Sequence, residues 1–232
     1  MTNKKNITTN DVPEWHNLQG TLIKINPDPK DEDFILNIQQ QQAEQEIMQH
    51  VWAARQDVYN KIYPGVTTFK NDPHDSSACV IYTLTEMGKI SSTARIAFDG
   101  PLGIPEQNLV PNLIEQFRGN GVQFAELGRF VIDDAARGVL SNYFRTFYYF
   151  GTRLGVDTYI MFVRHKWINF YDRLMNAEVI ENIEENFGSD SAYAVMTWRL
   201  KDTTPRFFSW CGAESHFAKS GINSIASGEE NV

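Results

Sequence analysis

The chain has 232 residues, enough for one domain that buries a real core without disulfide or metal staples. Its 42% apolar and 12% aromatic content is that of a globular protein, and a formal charge of −8 argues against nucleic acid as a partner. Two cysteines, Cys79 and Cys211, match no metal or redox spacing and point to a reduced, cytoplasmic protein. The amino terminus is polar from its first residues, unlike a signal peptide. No apolar run approaches the roughly 20 residues that span a bilayer, so stable membrane insertion is not expected.

In chain order, residues 1–30 read as a flexible arm with one short strand at Thr21–Ile25. From Asp31 a polar segment places Ile47, Val51, Ala54 and Val58 at helical spacing and stops at Pro64-Gly65. The glutamine run at 39–42 reads as a solvated face of that helix. A hairpin follows, with two runs rich in Val, Ile and Thr around Glu86-Met-Gly-Lys89. A helix is expected over Glu106–Arg118, then a strand from Gln123, then an amphipathic helix with Leu140, Phe144, Phe147 and Leu154 on one side, ending at Gly155. A strand at Asp157–Val163, a short aromatic helix carrying Trp167, Phe170 and Tyr171, and two closing strands complete a domain over 31–200. Residues 201–232 read as an extension with a disordered end. The order implies an α/β (α+β) fold, a mixed central sheet with helices on both faces and a strand–helix–strand crossover from Gln123 to Val163.

The strand Ala125-Glu-Leu-Gly-Arg-Phe-Val-Ile-Asp133 is apolar on both faces, yet holds Glu126 and Arg129. Regular alternation would maroon the two charges on opposite sides, where an isolated buried ion costs several kcal/mol. A β-bulge near Gly128 would shift the parity, bring both into one cleft and splay the strand from its parallel neighbour. Two readings stand for these nine residues: a structural ion pair at a strand end, or an active site.

This segment resembles the Glu-x-x-Arg-Phe strand of acyl-homoserine-lactone (autoinducer) synthases and N-acyl amino acid synthases, within the GNAT acyltransferase superfamily. Arg55 and Tyr59 in "AARQDVY" are similar to the family's amino-terminal Arg-x-x-x-Phe. Asp72 and Asp75 in "NDPHDSSACVIY", and Arg95 on the second hairpin strand, follow in the family's order, over about residues 45–200. The resemblance implies transfer of a fatty acyl group to the amine of an amino acid or similar small amine, with no permanently bound cofactor. Coenzyme A-binding members carry Arg/Gln-x-x-Gly-x-Gly/Ala after this strand. Here the run is Arg137-Gly138-Val139-Leu140-Ser141-Asn142, with Leu140 and Asn142 at the last two glycine positions. Close approach of a pyrophosphate to a helix start is then disfavoured, and an acyl carrier protein with its single phosphate becomes the expected donor rather than acyl-CoA.

An α-ammonium has a pKa near ~8, so a modest base suffices, and Glu126 is the candidate. Arg129 and Arg95 match an acceptor carboxylate in two-point geometry. Asp72 and Asp75 either order the loop over the cleft or hold Arg55, with a solvated turn as the competing reading. Phe130 is placed against the substrate, while Val131, Arg137, Gly138 and Phe144 are placed along the acyl donor. Tyr171 stands where many GNAT enzymes keep a tyrosine that protonates the departing thiolate, or it is a packing aromatic. Arg137, Arg145, Arg153, Arg164, Lys166 and Arg173 either meet an acidic carrier or scatter over the surface. Phe144, Phe147 and Met161 are candidate floor residues for an acyl pocket. Competing readings are an autoinducer synthase, an acetyl-coenzyme A N-acetyltransferase and an inactive binding module.

Overall fold

The strands of this chain carry apolar residues on both faces, and the fold covers both. The computed structural model describes residues 21–24, 39–42, 45–63, 72–132, 139–183 and 192–212. Its elements are β1 (Thr21–Lys24), β2 (Gln39–Gln42), α1 (Gln45–Ile62), β3 (Cys79–Leu84), β4 (Ile90–Phe98), α2 (Pro111–Gly119), β5 (Phe124–Ile132) and α3 (Leu140–Arg153). Then come β6 (Thr158–Arg164), α4 (Ile168–Met175), β7 (Glu178–Ile183), β8 (Tyr193–Arg199) and α5 (Pro205–Cys211). Eight strands form one sheet in the order β2-β1-β3-β4-β5-β6-β8-β7. β5 and β6 run parallel, joined through α3, as the crossover reading requires.

Neighbouring residues on each strand feed different cores. Ala94, Ala125, Tyr159 and Met196 join the cluster under α3, α4 and α5. Phe124, Ile160 and Val195, one position away, join Tyr63, Val110 and Ile114 on the opposite face, toward α1 and α2. Period-two alternation therefore puts helices on both sides of a mixed sheet.

Three local outcomes differ from the sequence reading. The glutamine run is β2, an edge strand paired antiparallel with β1, and α1 starts only at Gln45. Ladder pairing has overridden a modest helix propensity there. The helix expected from Glu106 is split into a 3-10 turn at Gln107–Leu109 and α2, which Pro111 opens at its first position, where a missing N–H costs nothing. Beyond Lys201, where the apolar pattern fades, α5 is capped by Thr204 and sets Phe207 into the core against Trp198 (ring centroids 5.2 Å). Seven residues are too few for periodicity to announce a helix.

The α4 terminus is fixed by Asn176 at φ 59°, a left-handed cap that asparagine tolerates. Among the described residues no helix is long and apolar enough to cross a membrane.

Phe207 is fully buried, so Phe207→Ala should remove about 3–5 kcal/mol of stability. Urea unfolding would show a lower midpoint with an unchanged slope. An unchanged midpoint would mean that α5 is not part of the core.

Candidate active site

β5 contains one residue too many for its neighbour. Thr93 of β4 pairs with Val131 and Arg95 pairs with Gly128, so Arg129 and Phe130 together face the single residue Ala94. Arg129 takes up the excess at φ 52°. The bulge was expected near Gly128, and the left-handed residue is the arginine beside it. Gly128 meets a different requirement: a Cβ there would stand 2.6 Å from Glu126 Oε1, so only glycine leaves room for that carboxyl.

The bulge resets the parity. Phe130 turns to the α3 face and packs edge-on against Tyr143 (5.2 Å), Phe144 and Phe147 (both 6.0 Å). Arg129 turns to the face that carries Glu126. Beyond the pair Leu127–Met161, β5 makes no further ladder pair with β6, while β6 continues against β8 as far as Arg164–Tyr193. The two parallel strands therefore part. A cavity of about 960 Å³ occupies the gap, lined by Tyr59, Glu106, Glu126 and Arg129 at its polar part, by Arg164, and by apolar side chains including Phe130, Leu140, Phe144, Phe147, Met161 and Phe170, with Tyr171.

Glu126, Arg129, Phe130, Val131, Phe144 and Tyr171 all line this cavity. Arg55, Asp72, Asp75 and Arg95 do not line it; they form a buried cluster behind Arg129. A 3-10 turn at Pro73–Ser76, N-capped by Asp72, presents both aspartates. Arg55 Nη1 donates to Asp75 Oδ1 and Oδ2 at 3.0 and 2.8 Å, and Trp52 Nε1 donates to Oδ2 at 2.8 Å. Arg95 Nη1 and Arg129 Nη2 both donate to Asp72 Oδ2 at 2.7 Å. The aspartate step is therefore a buried, hydrogen-bonded turn and not a solvated one. Arg95, completely buried, is not a surface cation of the hairpin. Arg145 is likewise buried, donating to Asn142 at 2.6 Å, which removes it from any docking surface. Arg137 and Gly138 lie outside the described residues.

Glu106 went unnoticed in the sequence because it lies twenty residues before Glu126 in an ordinary turn. Its backbone N–H donates to Glu126 Oε2 at 3.2 Å, and its Oε1 accepts from Arg129 Nη1 at 3.1 Å. Glu126 Oε1 stands 3.7 Å from Arg95 Nη2. Burial, and next the Glu106 carboxyl beside it, push Glu126 well above the usual carboxylate range against the pull of Arg95. Burial would also raise Asp72, but Arg95 and Arg129 outweigh it and hold that carboxyl well below its usual range. Burial pushes the Tyr171 phenol up to about 12, so it carries its proton at neutral pH. Among the described residues no group of His, Cys, Asp and Glu is arranged to hold a metal ion.

The FeeM N-acyl amino acid synthase family matches residues 51–198. The chain belongs to this family. It is an N-acyltransferase. Among solved structures it is similar to FeeM, an N-acyl amino acid synthase from uncultured soil microbes, at 18% identity and a TM-score of 0.56, over 71% of this chain and 95% of that one. It is also similar to the acyl-homoserine-lactone synthase LasI, at 12% identity and a TM-score of 0.54, over 72% of this chain and 89% of that one. TofI in its apo form follows at 14% identity and a TM-score of 0.51, over 73% and 90%. Identities this low show the shared GNAT-like fold. Comparison with curated protein sequences returns no match.

Two outcomes follow from the geometry of this N-acyltransferase. Gly128→Ala forces the Glu126 carboxyl aside and should slow N-acyl transfer on the order of a hundredfold, with the circular dichroism spectrum unchanged. Full activity would show that the carboxyl position is unimportant. Because the folded-state pKa of Glu126 is raised, its stabilising contribution is complete below ~4.3 and is lost as pH rises toward the folded value. Glu126→Gln lacks that loss, so it should melt above wild type at neutral pH and converge with it in acid. A constant difference across pH would contradict the assignment.

Proposed function

We propose that this N-acyltransferase moves a fatty acyl group from the phosphopantetheine thioester of an acyl carrier protein to the amine of an amino acid or a similar small amine. The observation that carries this reading is the form of the cavity. It opens where β5 leaves β6, is lined by two acids and the guanidiniums of Arg129 and Arg164, and is otherwise lined by aliphatic and aromatic side chains. A fatty acyl chain fits the apolar lining, and a charged acceptor fits the polar part.

The amine must lose a proton before it attacks the thioester carbon. Glu126 is the base, and its raised pKa brings it closer to that of the ammonium it must deprotonate. Backbone groups of β5 left without ladder partners beyond Leu127 can polarise the thioester carbonyl. As the C–S bond breaks, the sulfur leaves with the electron pair, and Tyr171, protonated on the cavity wall, supplies a proton. Arg129 faces the acceptor's carboxylate. Arg55, Arg95, Asp72 and Asp75 act through Arg129, fixing its guanidinium.

A carrier protein is favoured over coenzyme A by the start of α3. Leu140 lines the cavity and Asn142 is buried, so side chains stand at both positions where a pyrophosphate would need bare backbone. Lys166 and Trp167 stand exposed beside the cavity, with the ammonium 5.7 Å from the indole ring, and suit an acidic carrier.

The test is thiol release from acyl-carrier protein and acyl-coenzyme A, screened across amino acids, with product mass recorded. An N-acyl amino acid formed faster from the carrier is expected. Glu126→Gln should lower the rate about 10²- to 10⁴-fold. Equal rates from wild type and Glu126→Gln would remove Glu126 from the chemistry, and a lactone product would overturn the acceptor class.

A further inference from the structure

Five charged residues close a ring at the polar part of the cavity. Arg95 donates to Asp72, Asp72 accepts from Arg129, Arg129 donates to Glu106, the Glu106 N–H donates to Glu126, and Glu126 returns to Arg95. With Arg55 and Asp75 attached, three guanidiniums stand against four carboxyl groups. Full ionisation would leave an excess negative charge in a buried site.

The geometry shows where that excess is relieved. Four contacts in the ring are hydrogen bonds of 2.7 to 3.2 Å, while the Glu126–Arg95 contact is 3.7 Å. An ionised carboxylate facing a guanidinium normally closes to ~2.7–2.9 Å. Arg95 Nη2 is buried there with no hydrogen bond, and Glu106 Oε2 is a buried acceptor with no donor. An acceptor lacking a donor beside a second carboxyl is the arrangement that one proton satisfies.

We infer that Glu106 and Glu126 form a carboxyl pair holding one proton in the substrate-free protein, with Glu106 as the positioning residue that helps set when Glu126 becomes a base. This rests on the proposed reaction and deepens it. The charged groups against the pair are Arg95 from β4 and Arg129 from β5, with Tyr59 from α1 near Glu106; Asp72 and Asp75 from the 3-10 turn hold those arginines, Arg55 from α1 holds Asp75, and His74 contacts Asp72 at 3.3 Å. Burial favours the singly protonated pair, and repulsion between the two carboxyls adds to it.

The proton count closes. When an ammonium acceptor binds, the pair releases its proton to solvent and then takes one from the ammonium, leaving a neutral amine. Nitrogen attacks the thioester carbon, the N–C bond forms and the C–S bond breaks with its electrons on sulfur. The second nitrogen proton ends on that sulfur, by way of Tyr171, and the pair is again singly protonated. Net acylation of one ammonium releases one proton.

The test uses the whole protein and two readouts. In ¹³C-glutamate-labelled wild type without substrate, NMR titration should show a side-chain carboxyl that holds its proton well above the ordinary glutamate range, and in Glu106→Gln that signal should move down by about one pH unit or more while burial keeps it raised. In kinetics, the acid limb of the kcat/KM profile should move down by about one pH unit or more in Glu106→Gln, with partial return in Glu106→Asp. A merely structural Glu106 would lower the rate at every pH and leave the limb in place; that outcome overturns the pair. The wild-type titration stands even if the variants fail to fold, and every glutamate ionising in the ordinary range would overturn the pair outright. Absence of acyl transfer to any amine would strike the proposed function instead, and the NMR titration would still judge the pair.

Discussion

Arg129 is held at φ 52°, in a backbone region that costs a residue with a Cβ about 1–2 kcal/mol. It stays there because its guanidinium is gripped from two sides, by Asp72 on the turn before β3 and by Glu106 on the turn before α2. Everything distinctive about the cavity follows from this one displaced residue. Without it, alternation would send Arg129 into the aromatic face occupied by Phe144 and Phe147 and would leave Glu126 alone on the other. With it, Phe130 takes the aromatic side, the charges share a side, and β5 swings away from β6.

The cluster behind Arg129 is poorly explained as a source of stability. Buried ions pay a desolvation penalty that good geometry only roughly offsets, and apolar replacements of similar volume often fold as well. Its geometric effect is clearer. The two-oxygen grip of Arg55 on Asp75 anchors the turn, the turn presents Asp72, and Asp72 holds two arginines at fixed angles. The carboxyl that the arrangement leaves raised is Glu126, by burial and by the Glu106 carboxyl, against the pull of Arg95 and the Glu106 N–H. In the proposed reaction that destabilised carboxyl is the working group, a common relation between strain and chemistry.

Much of this was legible in the sequence, and the reasons are local. A glycine between a glutamate and an arginine in an apolar strand announces a bulge, because no regular strand houses both charges. The hairpin, the crossover and the parity shift are consequences of period-two patterning and strand order. Glu106 was not legible, since its role depends on a turn folding back over β5 from twenty residues away. Nor was the burial of Arg95, because a strand position gives no information on what docks above it. β2 was hidden because glutamine is compatible with helix and strand alike, and only pairing with β1 decides. α5 was hidden by its brevity, although the Thr204-Pro205 start is a recognisable helix opening.

The central claim is that the gap between β5 and β6 is the path of the acyl group and that Glu126 and Arg129 face its reacting end. A crystal structure with an N-acyl amino acid bound tests this most directly. The account predicts the amide beside Glu126, the carboxylate toward Arg129, and the acyl chain passing between the parted strands against Phe144, Phe147 and Phe170. A ligand bound elsewhere, with the gap empty or closed by continuous pairing of β5 with β6, would contradict it.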